Sequence, residues 1–167
     1  MAAADSRGPE LHPACLPLAF LLGTWRGTGV GGYPTLEQDF TFVQQVTFGH
    51  VGKPFLSYES RSWLTDENGE PTRPGAMEYG FWRPVGSGQL ELVLSHPTGV
   101  AEIWYGEITG TKIELATDAV ARTSTAKEVT GGKRLYGLVE GDLAYAYDLA
   151  AVGQPLQAHL SARLVKT

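Results

Sequence analysis

Histidine is the side chain best suited to chemistry near neutral pH, and this sequence contains four histidines. A neutral imidazole can bind a metal, and it can also take up a proton. His12 lies near the start of the chain, His50 in a Gly-His-Val turn and His96 in a Ser-His-Pro-Thr turn. His159 alone falls inside a strong predicted strand, in QPLQAHLSARL. An isolated strand histidine is commonly a surface or structural residue, so the residues alone leave the role of His159 open.

The glycine-rich segment GTWRGTG, residues 23–29, raises the possibility of a phosphate-binding loop. Such a loop needs a strand before it and a helix after it. Here the apolar run LPLAFLL precedes the segment, and the alternating stretch LEQDFTFVQQVTF follows it, so the flanks exclude that reading. We interpret the segment as the start of a barrel. Gly23 lets the chain turn out of an apolar plug, Trp25 is buried, and Gly27 and Gly29 leave room for a close approach.

Length and charge indicate the broad class of protein. A chain of 167 residues with 43% hydrophobic residues can bury one core, so we expect one domain, with a flexible N-terminal segment over residues 1–15 and the barrel over residues 16–167. The net charge of −5 is spread without a basic block, which argues against nucleic acid or an anionic membrane as a partner. The single cysteine, Cys15, forms no internal disulfide and is interpreted as incidental. Without a secretory signal or a long apolar run, the expected location is cytoplasmic.

Two-residue alternation recurs between short turns from residue 24 to the end of the chain. In the stretch from Leu36 to Phe48, for example, aromatic and aliphatic residues alternate with polar ones. About ten such strands leave room for little helix beyond the Leu16 to Leu22 region. The pattern predicts an all-β fold: a single ten-stranded antiparallel up-and-down β-barrel. A closed barrel of this size removes its sheet edges and can enclose one small ligand.

The segment GTWRGTG resembles the G-x-W-x-G-x-G signature of the nitrobindins, haem-binding barrels similar in outline to lipocalins and fatty-acid-binding proteins. Further blocks follow in the family's order: YPTL, FGHVGKPFLSYESRSW, ARTSTAKEV and AVGQPLQAHLSARL. The resemblance runs from about Pro17 to Lys166, and it is greatest to the actinobacterial branch of the family, the peroxynitrite isomerases.

The resemblance implies a cofactor and the residues that hold it. The cofactor is ferric haem b, bound without a covalent link because the chain has no CxxCH motif. His159 is implied as the axial ligand and as the catalytic residue, while Thr35 and Lys127 are implied as haem contacts. Lys127 is expected to pair with a propionate at the barrel mouth, with Lys133 as a nearby rival. A homodimer is also consistent with the family.

Simple alternation conflicts with the implied role of His159. It places His159 on the polar face of its strand and aims its side chain outward. The opposite, apolar face comprises Leu156, Ala158, Leu160, Ala162 and Leu164. Two arrangements would reconcile the pattern with the role: a haem near the mouth, where inward positions can be polar, or a β-bulge that rotates the strand by one residue. The sequence leaves both open.

The activity implied by the resemblance is the haem-dependent isomerisation of peroxynitrite to nitrate, together with nitric oxide binding. The sequence shows no obvious Ser-His-Asp triad or carboxylate dyad, and a cofactor that carries the chemistry needs none. Met77, Tyr79 and Phe81 alternate on one strand and are candidates for the distal wall or the core. A peroxidase-like reaction would need a distal histidine paired with an arginine. The sequence shows no recognisable partner histidine for Arg26, Arg83 or Arg122.

Two alternatives belong to other classes of protein. One is a lipocalin-like carrier of a fatty acid or another small apolar ligand, in which an internal arginine and tyrosine would clamp a carboxylate. The other is a non-catalytic sensor of nitric oxide or haem, for which no appended signalling domain is evident in the sequence. The sequence does not decide whether catalysis or nitric oxide binding is the physiological role, nor how fully the protein is loaded with haem in the cell.

Overall fold

The computed structural model describes residues 8–167, which fold into a closed barrel of ten antiparallel strands. Each strand pairs with its neighbours in the chain, and β1 pairs with β10 to close the ring, so the predicted all-β up-and-down barrel is confirmed. A 3-10 helix, Pro13–Leu21, precedes the strands. The strands are β1 (Gly23–Gly31), β2 (Phe40–Gly49), β3 (Leu56–Thr65), β4 (Pro71–Gly86), β5 (Gln89–His96), β6 (Val100–Thr109), β7 (Lys112–Arg122), β8 (Val129–Val139), β9 (Asp142–Ala151) and β10 (Gln157–Lys166).

The 3-10 helix packs against the core at one end of the barrel, as the apolar plug predicts. Its residues Cys15, Leu18 and Leu21 are fully buried, and the indole Nε1 of Trp25 donates a hydrogen bond to the carbonyl of Leu21 at 2.8 Å. The residues buried with the helix come from the adjoining strand ends: Phe48, Leu56, Leu90, Ile113, Leu143 and Leu164. This end is therefore closed by apolar side chains. Residues 1–7 of the predicted N-terminal segment lie outside the described residues.

Glycines 27 and 29 allow β1 to approach its neighbours closely. A Cβ at Gly27 would collide with the backbone carbonyl of Arg163 on β10, and a Cβ at Gly29 would collide with the ring of Phe42 on β2. These contacts confirm the predicted close approach along the GTWRGTG segment. The helix found within residues 8–167 is too short to cross a membrane.

The opposite end of the barrel carries the loops 32–39, 66–70, 97–99, 123–128 and 152–156. We call it the mouth. The strands β7 and β8 pair over only a short stretch, where Ile113 to Ala116 face Lys133 to Tyr136. Above this point the two strands separate, and the Thr117 hydroxyl donates to the Gly132 carbonyl at 3.2 Å.

Candidate functional site

His159 lies at a β-bulge near the start of β10. The register between β10 and β9 shifts between Ala158 and Leu160, so His159 has no partner residue on β9. The bulge reverses the strand faces locally: Ala158 is exposed, whereas His159 and Leu160 are both partly buried. Of the two arrangements that the sequence leaves open, the structure has the bulge. The simple alternation that aims His159 outward is wrong because it assumes an unbroken ladder.

Two contacts with Gly32 fix the imidazole of His159. The backbone N–H of Gly32 donates to the His159 carbonyl at 2.9 Å, and Nδ1 of the imidazole lies 3.0 Å from the Gly32 carbonyl oxygen. Because a carbonyl only accepts, Nδ1 must carry the hydrogen, and Nε2 therefore keeps its lone pair. Burial lowers the pKa of His159 and the charge of Arg134 lowers it further, although the Gly32 carbonyl opposes this shift. The net pKa is lowered, which favours the neutral imidazole that metal ligation requires.

Aromatic rings surround the His159 imidazole at the mouth. The ring centroids of Tyr33, Tyr147 and Phe40 lie 5.4, 5.7 and 6.4 Å from that of His159, all in edge-on orientations. Edge-to-face contacts of this kind restrict how far a ring can rotate. The imidazole is thus held in one plane within an apolar collar, next to the open end of the barrel.

The other implied haem contacts, Thr35 and Lys127, lie on loops of the mouth. Thr35 occupies a turn closed by a hydrogen bond from the Leu36 N–H to the Tyr33 carbonyl at 3.0 Å, and its side chain is exposed. Lys127 is exposed in the 123–128 loop. Lys133 precedes the buried Arg134 on β8, and successive side chains of a strand point to opposite faces. The exposed side chain of Lys133 therefore lies on the outer face of the barrel. The structure therefore places Lys127, rather than Lys133, at the mouth.

The face of β4 that Met77, Tyr79 and Phe81 share does not line the interior. Tyr79 and Phe81 are 38% and 47% exposed on the outer surface, and Trp82 is fully buried. Both predicted roles of this face, a distal wall or a place in the core, are therefore wrong. Alternation selects the wrong face, because the outer face carries three large apolar residues, whereas the inner face carries one, Trp82, beside a glutamate and a glycine. Trp82 lies opposite Leu92 on β5, and both are fully buried.

A buried network of charged side chains, absent from the sequence-based predictions, crosses the barrel interior. Arg134 donates from Nη1 and Nη2 to the two carboxylate oxygens of Glu78 at 2.8 and 2.6 Å. The hydroxyl of Tyr58 donates to the same carboxylate at 2.7 Å. His96 lies between Glu78, whose Oε2 is 3.6 Å from Nδ1, and Glu102, which contacts Nε2. The two carboxylates, the guanidinium and a protonated His96 together carry no net charge.

Pairing within the network outweighs the cost of burial. Burial alone would raise the pKa of Glu78, but the Arg134 charge and hydrogen bonds hold it at about 2. Burial likewise opposes protonation of His96, yet its bond to Glu102 and the charge of Glu78 raise its pKa. Because the Glu78 pKa is lowered on folding, its contribution to stability is present above the unfolded value of 4.5 and is lost as the pH falls towards 2.

Arg134 also connects this network to the surroundings of His159. Its guanidinium carbon lies 4.8 Å from the ring centroid of Trp104 and 4.4 Å from that of Tyr147, which in turn packs edge-on against His159. The sequence contains one signal for this arrangement. In GGKRLYGLV an arginine shares a strand face with Tyr136, and a charge on an otherwise apolar face indicates a buried partner.

Taken together, the fold and this site define a ligand-binding β-barrel with a neutral imidazole nitrogen available as a ligand inside an aromatic collar. This donor set suits the iron of a planar macrocycle, for which a histidine is a common axial ligand. The chain belongs to the family described as THAP4-like, heme-binding beta-barrel domain, whose model matches residues 14–166. The resemblance to the nitrobindins found in the sequence is confirmed.

Individual relatives agree with the family. The chain is 58% identical over 157 residues to a peroxynitrite isomerase of Nocardioides sp., an alignment that covers 94% of this chain and 95% of the relative. It is 47% identical to a ferric nitrobindin-like protein of Kineococcus radiotolerans, covering 89% of this chain and 91% of that protein. The crystal structure of Rv2717c from M. tuberculosis superimposes with a TM-score of 0.85 at 40% identity, covering 95% of this chain and 99% of that one.

Proposed function

We propose that this protein binds ferric haem b non-covalently through Nε2 of His159 and isomerises peroxynitrite to nitrate. The observation that carries the proposal is the hydrogen bond from Nδ1 of His159 to the Gly32 carbonyl, which leaves the Nε2 lone pair free in a partly buried site lined by aromatic rings. Membership of a haem-binding family and 53–58% identity to several proteins named peroxynitrite isomerase support the reaction.

Each residue of the site has a distinct part in the proposed reaction. When bound, ferric haem supplies a Lewis-acidic iron at which the O–O bond of peroxynitrite is weakened. His159 holds the cofactor in place, and the rings of Tyr33, Tyr147 and Phe40 exclude water from around the imidazole. In this proposal the Thr35 hydroxyl and the Lys127 ammonium, both exposed on loops of the mouth, bind the polar edge of the cofactor.

The buried titratable groups agree with a reaction of this kind. Peroxynitrite and nitrate have the same atoms and charge, so the conversion requires no net proton or electron. Arg134 and the Glu78 carboxylate are bonded to each other, and His96 lies between Glu78 and Glu102, so these groups are not left free as an acid–base pair. The proposed site also suits nitric oxide, which needs a vacant iron position but no charged partner; nitric oxide binding is part of the proposal.

The contacts inside the barrel argue against the alternative function of a fatty-acid carrier. An arginine and tyrosines do lie there, as a carboxylate clamp requires. However, Arg134 and Tyr58 already bind the carboxylate of Glu78. Glu78 thus occupies the position that a fatty-acid carboxylate would take. A homodimer and a cytoplasmic location stay predictions of the sequence.

Stopped-flow mixing with peroxynitrite tests the proposed reaction directly. We expect its decay to accelerate in proportion to the concentration of hemin-loaded protein, with nitrate as the main product by ion chromatography. Apo-protein and free hemin at the same concentration are the controls. Equal decay rates for loaded and apo-protein, or nitrite as the main product, would contradict the proposal.

Substitution of two lysines tests the haem contact at the mouth. We expect Lys127→Gln to weaken hemin binding up to about fivefold, because an exposed charge pair contributes about 0–1 kcal/mol, and to reduce the salt dependence of binding. Lys133→Gln removes the same charge from the outer face and is the matched control, with no expected effect. Hemin titrations at low and high salt measure both; equal behaviour of the two variants would remove Lys127 from the site.

A further inference from the structure

The position of His159 depends on a residue outside its own strand pair. The bulge leaves His159 without a partner on β9, so the ladder between β9 and β10 does not hold it. Its carbonyl and its imidazole Nδ1 both bond to Gly32, which lies just beyond the end of β1. The orientation of the imidazole therefore depends on the position of Gly32 as well as on the aromatic collar.

The next residue, Tyr33, holds that position. Its side chain is 9% exposed, and its hydroxyl donates to the Leu149 carbonyl at 3.0 Å, with the Ala151 carbonyl at 3.4 Å. The hydroxyl oxygen also accepts from the Ala151 N–H at 3.0 Å. These contacts tie the loop after β1 to the end of β9.

The hydroxyl sits at the point where the pairing of β9 with β10 ends. Pairing between β9 and β10 ends at Leu149 opposite Gln157, so the last residues of β9 have no partner on that side. The phenol hydroxyl supplies hydrogen bonds to this unpaired edge. The same residue also begins the turn that carries Thr35. Its location thus connects β9, the mouth loop and His159.

We propose that Tyr33 is a positioning residue that, by anchoring Gly32 to the end of β9, fixes the tautomer and plane of His159 for cofactor binding. The proposal rests on the proposed role of His159 as the ligand. Tyr33 acts through Gly32 and through the edge of its ring, which lies 5.4 Å from the imidazole centroid. Outer partners of this kind tune how well a histidine binds its metal.

Tyr33→Phe keeps the ring and removes only the hydroxyl. In the apo-protein, nitrogen NMR of His159 is expected to change from a single Nδ1–H tautomer to a mixture of both. Hemin affinity is expected to fall about tenfold, the lower end of the effect of losing an outer-shell partner. Tyr145→Phe is the matched control, since it also removes a hydroxyl hydrogen bond, to Gln44 at 2.6 Å, without contacting His159. An unchanged tautomer in Tyr33→Phe would overturn the proposal.

The same substitution in a second variant, His159→Gly, distinguishes a positioning role of Tyr33 from a general loss of structure in the pocket. In His159→Gly supplied with free imidazole, the ligand is no longer attached to the bulge, so Tyr33→Phe should cause no further loss of hemin affinity. An equal loss in this background would show that Tyr33 acts on the pocket as a whole, and would overturn the proposal. Failure of the proposed function is a different result: hemin binding that His159→Ala leaves unchanged. The tautomer measurement requires no haem, so it tests the role of Tyr33 independently.

Discussion

Replacing His159 by alanine is expected to abolish the Soret shift that marks histidine-ligated hemin and to lower hemin affinity by more than about 100-fold. Loss of an outer-shell partner costs roughly 10–100-fold in metal affinity, and removal of the ligand itself should exceed that range. The aromatic collar would remain, because Phe40 and Tyr147 lie on β2 and β9 and the Tyr33 hydroxyl donates to the Leu149 carbonyl. The variant is therefore expected to keep weak binding of hemin in the collar, without a bond between iron and histidine.

The measurement is an absorbance titration of apo-protein with hemin. His50→Ala is the control, since His50 lies in the loop after β2 at the closed end of the barrel. Added imidazole should restore the ligated spectrum in His159→Gly, because the small ligand can occupy the space of the missing ring. A ligated spectrum in His159→Ala with the affinity of the original protein would show that another residue holds the iron.

Arg134→Met is expected to lower the free energy of unfolding of the apo-protein by about 3–5 kcal/mol, the usual cost of leaving one partner of a buried ion pair unpaired. The side chains of Arg134 and Glu78 are only 4% and 13% exposed, so solvent cannot replace the lost guanidinium. The loss should be larger at pH 8 than at pH 5. At the lower pH a protonated His96 compensates the Glu78 carboxylate, and an unpaired buried carboxyl is also more easily protonated.

Urea denaturation of the apo-protein at the two pH values measures this effect. The double variant Arg134→Met/Glu78→Gln removes both charges of the pair and should regain most of the lost stability. Arg163→Met is the control for removing an arginine from an exposed pair, with Asp142 at 2.7 Å, and should have a far smaller effect. If the double variant were no more stable than Arg134→Met, the buried Glu78 charge would not be the cause of the loss.

The sequence predicted the strand number and closure because two-residue alternation and turn chemistry are local properties. It could not predict which face of β4 points inward, since the more apolar face points outward and the burial of Trp82 on the other face depends on contacts with Phe48 and Tyr136 from other strands. The orientation of His159 stayed open between a polar position at the mouth and a bulge, because alternation alone aims the side chain outward and no residue type marks the bulge. Arg134 differs from these cases, because the sequence itself shows a charged residue on the same strand face as Tyr136.

The separation of β7 and β8 near the mouth affects how the barrel can deform. Around the closed end, strand pairing is continuous, and any change of circumference would break backbone hydrogen bonds. Above Ala116 and Lys133 the pairing of these two strands is interrupted, so the rim can widen there without sacrificing ladder bonds. The barrel thus combines a stiff base with a compliant rim. The compliant sector borders the loop of Lys127, and its β8 side packs against the collar, because Gly132 and Arg134 both lie against the ring of Tyr147. A widening of the rim is therefore transmitted to the aromatic rings around His159.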